Sequence, residues 1–198
     1  MAGTRTRLDP GIRREQILAA AREVFVADDY ARASMEAVAA RAGVTTGLVN
    51  HYFGTKRDLY LAVIADLAAG LPEMVETDVP DLPLEELVAL NMGRFLDQFE
   101  GNFDVLSMLL KTEGGLGRDP EVAQIMAEAR EGIVRRMAFN HAGGEEPSPE
   151  LLLALRVFGG AAEAAAAEWL RNERASREDV ERLLTRTLLA LVGDLSRR

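Results

Sequence analysis

Residues 34–57 read Ser-Met-Glu-Ala-Val-Ala-Ala-Arg-Ala-Gly-Val-Thr-Thr-Gly-Leu-Val-Asn-His-Tyr-Phe-Gly-Thr-Lys-Arg, and no other stretch constrains the fold as tightly. Ser34, Thr45 and Thr55 each stand where a side-chain oxygen can cap the first amides of a helix, so three helix starts follow in quick succession. Gly43 falls where the first of these helices must turn sharply into the second. A positive φ is needed there, and glycine accepts it without steric cost. Ala39 and Ala42 are small enough for the two helices to cross closely, and Val38, Ala39, Ala42, Val44, Leu48 and Phe53 are expected to form a small core beneath them.

Thr45, Thr46, Gly47, Asn50, His51 and Tyr52 then remain on the outer face. Their side chains are short and polar or flat, and such a face can enter the major groove of DNA. The layout is that of a helix-turn-helix. Asn50 is the candidate for base readout, because an amide can pair with adenine through two hydrogen bonds, worth roughly 1–3 kcal/mol of discrimination. Thr45, Thr46 and Tyr52 are suited to phosphates. Lys56 opens the next helix, where free N–H groups also attract an anion. The outward helix carries no Arg or Lys, so readout per half-site is modest and a dimer becomes more necessary. The competing reading is a plain corner in an all-α protein, with His51 an ordinary surface histidine.

The net charge of −9 opposes a nucleic-acid partner at first sight, since phosphate binding needs cations. The charge is uneven, however. Residues 1–60 hold nine Arg and Lys against seven Asp and Glu, about +2, and the remainder 14 against 25, about −11. A mildly basic head on an acidic body suits DNA binding at one end. An arm over residues 1–10 carries Arg5 and Arg7, which could follow a DNA backbone or minor groove.

Nothing along the chain reads as a strand. Apolar residues recur at helical spacing between Gly, Pro and Asn breaks, which predicts an all-α protein of about nine helices. They fall at about 11–27, 35–41, 46–52, 56–69, 84–99, 103–112, 120–141, 149–172 and 177–196. The first should bury Ile12, Ile17, Ala20, Ala21, Val24 and Phe25. Asp119 and Ser176 are expected caps, with Pro120 at a first helical position. Gly114-Gly115-Leu116-Gly117 reads as a hinge.

The run Ile17-Leu18-Ala19-Ala20-Ala21…Phe25, then Val38-Ala39…Ala42-Gly43-Val44-Thr45-Thr46-Gly47…His51-Tyr52-Phe53…Lys56…Leu59, resembles the N-terminal signature of TetR-family transcriptional regulators. The resemblance covers about residues 12–65. It implies an all-helical homodimer, a palindromic double-stranded DNA operator, and a C-terminal domain that binds a small inducer and releases DNA; most members repress. The implied division is a DNA-binding domain over 1–55 and a ligand-binding and dimerisation domain over 56–198. Two positions depart from the pattern. Asp29 stands before Tyr30 where the family usually has glycine, and Asp tolerates left-handed backbone better than most residues. Asn50 stands where the family favours tyrosine, which implies a different operator sequence.

The eighth predicted helix carries Leu151, Leu155, Phe158, Ala162, Ala165 and Trp169, and the ninth Leu184, Leu188, Leu191 and Leu195, both at alternating spacings of three and four. Each is a seam for another helix. In the TetR family the last two helices form a four-helix dimer interface, so these seams are expected to meet a second subunit; the alternative is a hairpin packed on its own domain. Gly159-Gly160 would cost roughly 1 kcal/mol each in a helix unless close packing offsets it.

Leu67, Met74, Met92, Phe95, Phe99, Phe103, Met108, Met126, Met137 and Phe139 supply adaptable and flat side chains that could line an apolar pocket, or simply a core. Asn91, Arg94 and Gln98 are candidates to anchor a polar group.

With two histidines and no cysteine, the chain shows no metal-ligand spacing, and neither a phosphate loop nor a nucleophile elbow appears. No cofactor, metal or catalytic residue is expected. No apolar run approaches the ~20 residues that span a bilayer, and a cytoplasmic protein without a membrane partner is expected. The sequence therefore points to a dimeric, ligand-responsive DNA-binding regulator, in most such proteins a repressor. The alternative is an all-α dimeric small-molecule or protein-binding module that no longer engages DNA.

Overall fold

The computed structural model describes residues 9–28, 30–75, 82–101, 119–141 and 146–195. These contain eight α-helices and no strand: α1 (Pro10–Ala27), α2 (Met35–Ala42), α3 (Thr46–Phe53), α4 (Lys56–Gly70), α5 (Leu84–Gly101), α6 (Pro120–His141), α7 (Pro149–Ala166) and α8 (Arg177–Leu195). A short 3-10 turn, Pro72–Met74, follows α4. Arg5, Arg7, Asp29, the helix expected at 103–112 with Phe103 and Met108, and the Gly114–Gly117 segment lie outside the described residues.

The described residues divide into two compact units, one drawn from 1–67 and 108–123, the other from 68–107 and 124–198. In the first, Asp9 starts α1 by accepting the Gly11 amide at 2.8 Å, with Pro10 at the first helical position. α1 buries Ile17, Leu18, Ala20, Ala21 and Phe25. Ile12 was expected on this face but is 54% exposed, and Leu18 takes a buried place instead. Ile12 lies a turn before the point where α1 meets its neighbours, so its phase alone does not bury it. The unit closes on an aromatic cluster, in which the Tyr60 ring lies 5.1 Å from Phe25 and 4.9 Å from Tyr30.

In the second unit, Met92 and Leu96 of α5 pack with Phe158 and Ala162 of α7 and Val180 and Leu184 of α8. A second cluster joins Val134 and Ala138 of α6 to Leu151, Leu155 and Val192. The α7 and α8 seams expected to meet a second subunit are thus largely used inside this unit: Leu151, Leu155, Phe158, Ala162 and Leu184 are buried, with Ala165, Trp169, Leu188 and Leu191 packed against them. Within the chain the cover on these seams comes from α5 and α6 and from α7 and α8 on each other.

Arg177 ties α8 to α5, pairing with Asp97 and Glu181 and reaching the Gly93 carbonyl at 3.3 Å. Such partly exposed pairs contribute about 0–1 kcal/mol. Burying one leucine such as Leu96 or Leu184 contributes about 1.5–3 kcal/mol, so the apolar cluster holds the helices and Arg177 sets their register. Gly132 of α6 is where the 3-10 turn approaches, since a Cβ there would lie 2.9 Å from the Pro72 ring. Arg136 fixes the same approach, donating to the Val75 carbonyl at 2.8 Å and pairing with Glu73 at 2.9 Å. α7, expected to run to 172, loosens after Ala166 into a π turn, Ala167–Arg171. Glu173, with φ of 53°, lets the Arg174 amide reach the Glu168 carbonyl at 2.8 Å and closes the end.

Candidate nucleic-acid interface and ligand pocket

The helix-turn-helix is built by local chemistry. The Ser34 hydroxyl accepts the Ala37 amide at 3.1 Å and starts α2. Gly43, with φ of 65°, ends it. The Val44 amide then bonds to the Ala39 carbonyl at 2.9 Å and the Gly43 amide to the Ala40 carbonyl at 3.3 Å, the two bonds of a Schellman closure. The Gln16 amide group donates to the remaining Ala42 carbonyl at 2.9 Å and pins α1 to this turn. Thr45 caps α3 by accepting the Leu48 amide at 3.3 Å. Inward, Val49 is completely buried and Phe53 nearly so, while Val44 and Leu48 are only half-buried. Val49 and Phe53, four apart, are therefore the anchoring pair of α3; the sequence reading placed Leu48 there and passed over Val49.

Of the residues expected to face DNA, Thr45, Gly47, Asn50 and His51 are exposed, and Thr46, Tyr52 and Lys56 are half-buried. His51 and Tyr52 meet edge to face at 5.5 Å. Lys56 is held by its surroundings, its ammonium 4.5 Å above the Tyr30 ring and 3.5 Å from the Ala31 carbonyl. α4 opens with a capping box. The Thr55 amide and hydroxyl both donate to the Asp58 carboxylate, at 3.0 and 2.7 Å, and Asp58 returns its amide to the Thr55 hydroxyl at 3.2 Å. Those hydrogen bonds from Thr55 hold the Asp58 carboxyl below the usual aspartate range. Gly54 is required beside this box: its φ is 76°, and a Cβ would lie 3.0 Å from the Asp58 carboxylate.

Two cations flank α3 although it carries none. Lys56 follows it, and the Arg14 guanidinium of α1 lies 4.9 Å from the Phe53 ring centroid. Neither Arg14 nor Gln16 was identified from the sequence, since both reach across from a helix distant in the chain. The i to i+3 relation of Arg13 and Gln16, which hydrogen-bond at 2.7 Å, was the only local signal.

The second unit contains a pocket of about 170 Å³. Its walls are apolar: Leu87, Val88, Met92 and Phe95 of α5, Met137 of α6, Leu155 and Phe158 of α7, Leu188 and Val192 of α8, and Val75. Its polar lining is Asn91, Arg94, Asn140 and His141. Met92, Phe95, Met137, Asn91 and Arg94 were among the sequence candidates. Leu67 and Met126 are buried elsewhere, and Phe139 is 54% exposed. The leucine and valine walls were missed because their spacing is that of any core.

Residues 17–63 match the family model described as bacterial regulatory proteins, tetR family, and residues 84–191 match the tetracyclin repressor-like C-terminal domain. The chain belongs to the TetR family. Its relatives include the HTH-type transcriptional activator FasR of Mycolicibacterium smegmatis, 28% identical over 179 residues that cover 87% of this chain and 79% of that one. The HTH-type transcriptional regulator BetI of Stenotrophomonas maltophilia is 28% identical over 166 residues, covering 81% of each. A tetR-family transcriptional regulator from Streptomyces coelicolor has the same fold, with a TM-score of 0.76 and 24% identity over 94% of this chain and 82% of its own. Membership makes this protein a DNA-binding transcriptional regulator of the TetR family, with the helix-turn-helix inside the N-terminal match and the pocket-lining helices α5, α6 and α7 and most of α8 inside the C-terminal one. Among the described residues, no helix is long and apolar enough to cross a membrane.

Proposed function

We propose that this TetR-family protein binds a palindromic operator as a homodimer, represses transcription there, and releases DNA when a small, largely apolar inducer fills the pocket of the second unit. The observation that carries the DNA-binding part is the turn at Gly43, whose Schellman closure and Thr45 cap leave Thr45, Gly47, Asn50 and His51 exposed over a core of Val49 and Phe53. Asn50 reads a base, Thr45, Thr46 and Tyr52 hold phosphates, Gly47 lets the helix approach closely, and Lys56 and His51 supply donors at the edge. The protein acts in the cytoplasm, as a regulator and not as an enzyme.

Dimerisation through α7 and α8 is supported by the face opposite the buried seams. Leu153 and Val157 of α7 and Leu183 of α8 are 61%, 57% and 59% exposed. Exposed Gly160 and Ala164 continue the α7 stripe at helical spacing and permit close approach. Large exposed apolar residues that recur along one helix face mark an interaction surface more often than isolated ones do.

The test is selection of a binding site from random duplexes, followed by fluorescence anisotropy at several salt concentrations. A two-fold symmetric consensus is expected, with half-sites about 34 Å apart or a multiple of that. Lys56→Ala should weaken binding to all sequences and lower the salt slope by about 1, whereas Asn50→Ala should change the preferred base at one position per half-site. A reporter behind the selected site should be repressed by the protein. Failure to select any duplex at low salt would overturn this assignment of DNA contacts to α3.

A further inference from the structure

We infer that Tyr30 is a positioning residue for DNA binding: its ring holds the Lys56 ammonium in place at the start of α4, so that the cation is already oriented when it meets a phosphate. This deepens the reading of Lys56 as a phosphate contact and rests on it, but the hold on Lys56 belongs to the free protein.

Tyr30 lies in the connection between α1 and α2, and the Lys56 ammonium sits 4.5 Å from its ring centroid. The negative face of an aromatic ring attracts a cation at that distance. The carbonyl of the next residue, Ala31, accepts from the same ammonium at 3.5 Å. Two neighbouring residues of one connection thus engage the cation together. The connection is itself anchored. The Tyr30 ring stands 4.9 Å from Tyr60 and 6.3 Å from Phe25, and those two meet edge to face at 5.1 Å. Phe25, Tyr60 and Ala33 are buried. Tyr60 follows Lys56 by one turn of α4, so the rings fix Tyr30 against the same helix that carries the lysine.

A long lysine stem gives up rotamer freedom when its ammonium docks on a phosphate, and that loss weakens binding. Here part of the loss is met on folding, before any DNA arrives. The hold is also one that can be shared. An ammonium has three N–H donors, so a ring face and one long carbonyl contact do not exhaust it. A ring attracts a cation without cancelling its charge, whereas the carboxylates of Asp119 and Glu23, which hold Arg57 and Arg41 in the same unit, cancel theirs.

The test has two arms. The chain has two lysines, Lys56 and Lys111, so carbon-13 lysine labelling resolves the Lys56 side chain by NMR. Its ε-methylene protons should be shifted upfield by the Tyr30 ring, stay so in Tyr30→Phe and move downfield in Tyr30→Leu. The second arm is fluorescence anisotropy with a labelled duplex of arbitrary sequence at low salt, since phosphate contacts are independent of sequence. Tyr30→Leu should weaken binding about two- to fivefold for each head bound, and Tyr30→Phe should restore it. Tyr30→Leu keeps the lysine charge, so its plot of affinity against salt should run parallel to the parent's, whereas Lys56→Met should lower the slope by about 1 for each head bound. Within Lys56→Met, adding Tyr30→Leu should change affinity by less than about 1.5-fold. A ring needed only for the fold would instead cost the same in both backgrounds. Equal losses in the two backgrounds, no loss in Tyr30→Leu, or Lys56 protons unmoved by Tyr30→Leu would each overturn the inference. Lys56→Met that binds DNA like the parent, with the proton shift intact, would overturn the phosphate contact itself and the positioning role with it.

Discussion

At the scale of single residues, the turn glycines differ in what they protect. At Gly43 no atom lies within 4 Å of a Cβ, so Gly43→Ala pays only for its left-handed backbone, about 1 kcal/mol. At Gly54 a Cβ would also press on the Asp58 carboxylate. Gly54→Ala should therefore cost more, about 2–3 kcal/mol, and should loosen the start of α4. Urea unfolding of both variants measures this, and equal losses would show that the Asp58 contact is harmless. Glu173 is the converse case, a non-glycine residue at positive φ. Glu173→Gly should raise the unfolding free energy slightly, by at most about 1 kcal/mol, and the urea midpoint with it, because relief of strain is partly offset by a freer unfolded chain.

At the scale of helices, Asp119 links two starts. It caps α6 through the Glu121 amide at 2.9 Å and receives Arg57 of α4 through two hydrogen bonds at 2.8 and 2.9 Å. Burial pushes its carboxyl up, but the bonds from Arg57 and from the Glu121 and Val122 amides together outweigh that and hold it below the ordinary value of 3.8. A carboxyl depressed by folding stabilises the protein above its unfolded pKa, and that stability is lost as pH falls through the folded one. Asp119→Asn keeps a competent cap and loses the charge. It should unfold at lower urea than the parent at pH 7, with the gap closing as pH falls below about 3.8. A gap unchanged down to pH 3 would assign the effect to packing.

Much of this level was legible beforehand, because caps and breakers are local. Ser34, Thr45, Asp119, Pro120 and Ser176 stand where the sequence placed them, and the described helix limits agree within a few residues, apart from the π turn that ends α7 early. Facing was harder to read. Leu48 and Val49 are neighbours about 100° apart on α3, and which one turns inward depends on where α1 lies. The pocket was only half legible for the same reason: Met and Phe drew notice, whereas Leu155, Val192, Asn140 and His141 join it only through tertiary packing.

At the scale of the whole molecule, the seams on α7 and α8 were read as surfaces for another helix, and within the chain they are covered by α5, α6 and each other. Heptad-like spacing states that a helix will be covered and is silent on whether the cover is the same chain. The face left open carries Leu153, Val157 and Leu183. Leu183→Glu should leave the fold and the pocket intact and convert the protein to a monomer by light scattering. Affinity for a two-fold operator should then fall at least about a hundredfold, since paired half-sites no longer act together. Retention of a dimer by this variant would move the interface elsewhere.

That open surface is small: Leu153 and Val157 on α7 with Gly160 and Ala164, and Leu183 on α8 with Asp179, Arg182, Arg186, Thr187 and Ala190 around it. An association so modest is governed by mass action. Where monomers predominate, occupancy of a two-fold site rises with the square of protein concentration, so halving the amount of protein lowers occupancy to about a quarter. The promoter would respond to dosage as a threshold, and the side chains at positions 153, 157 and 183 would set where that threshold falls.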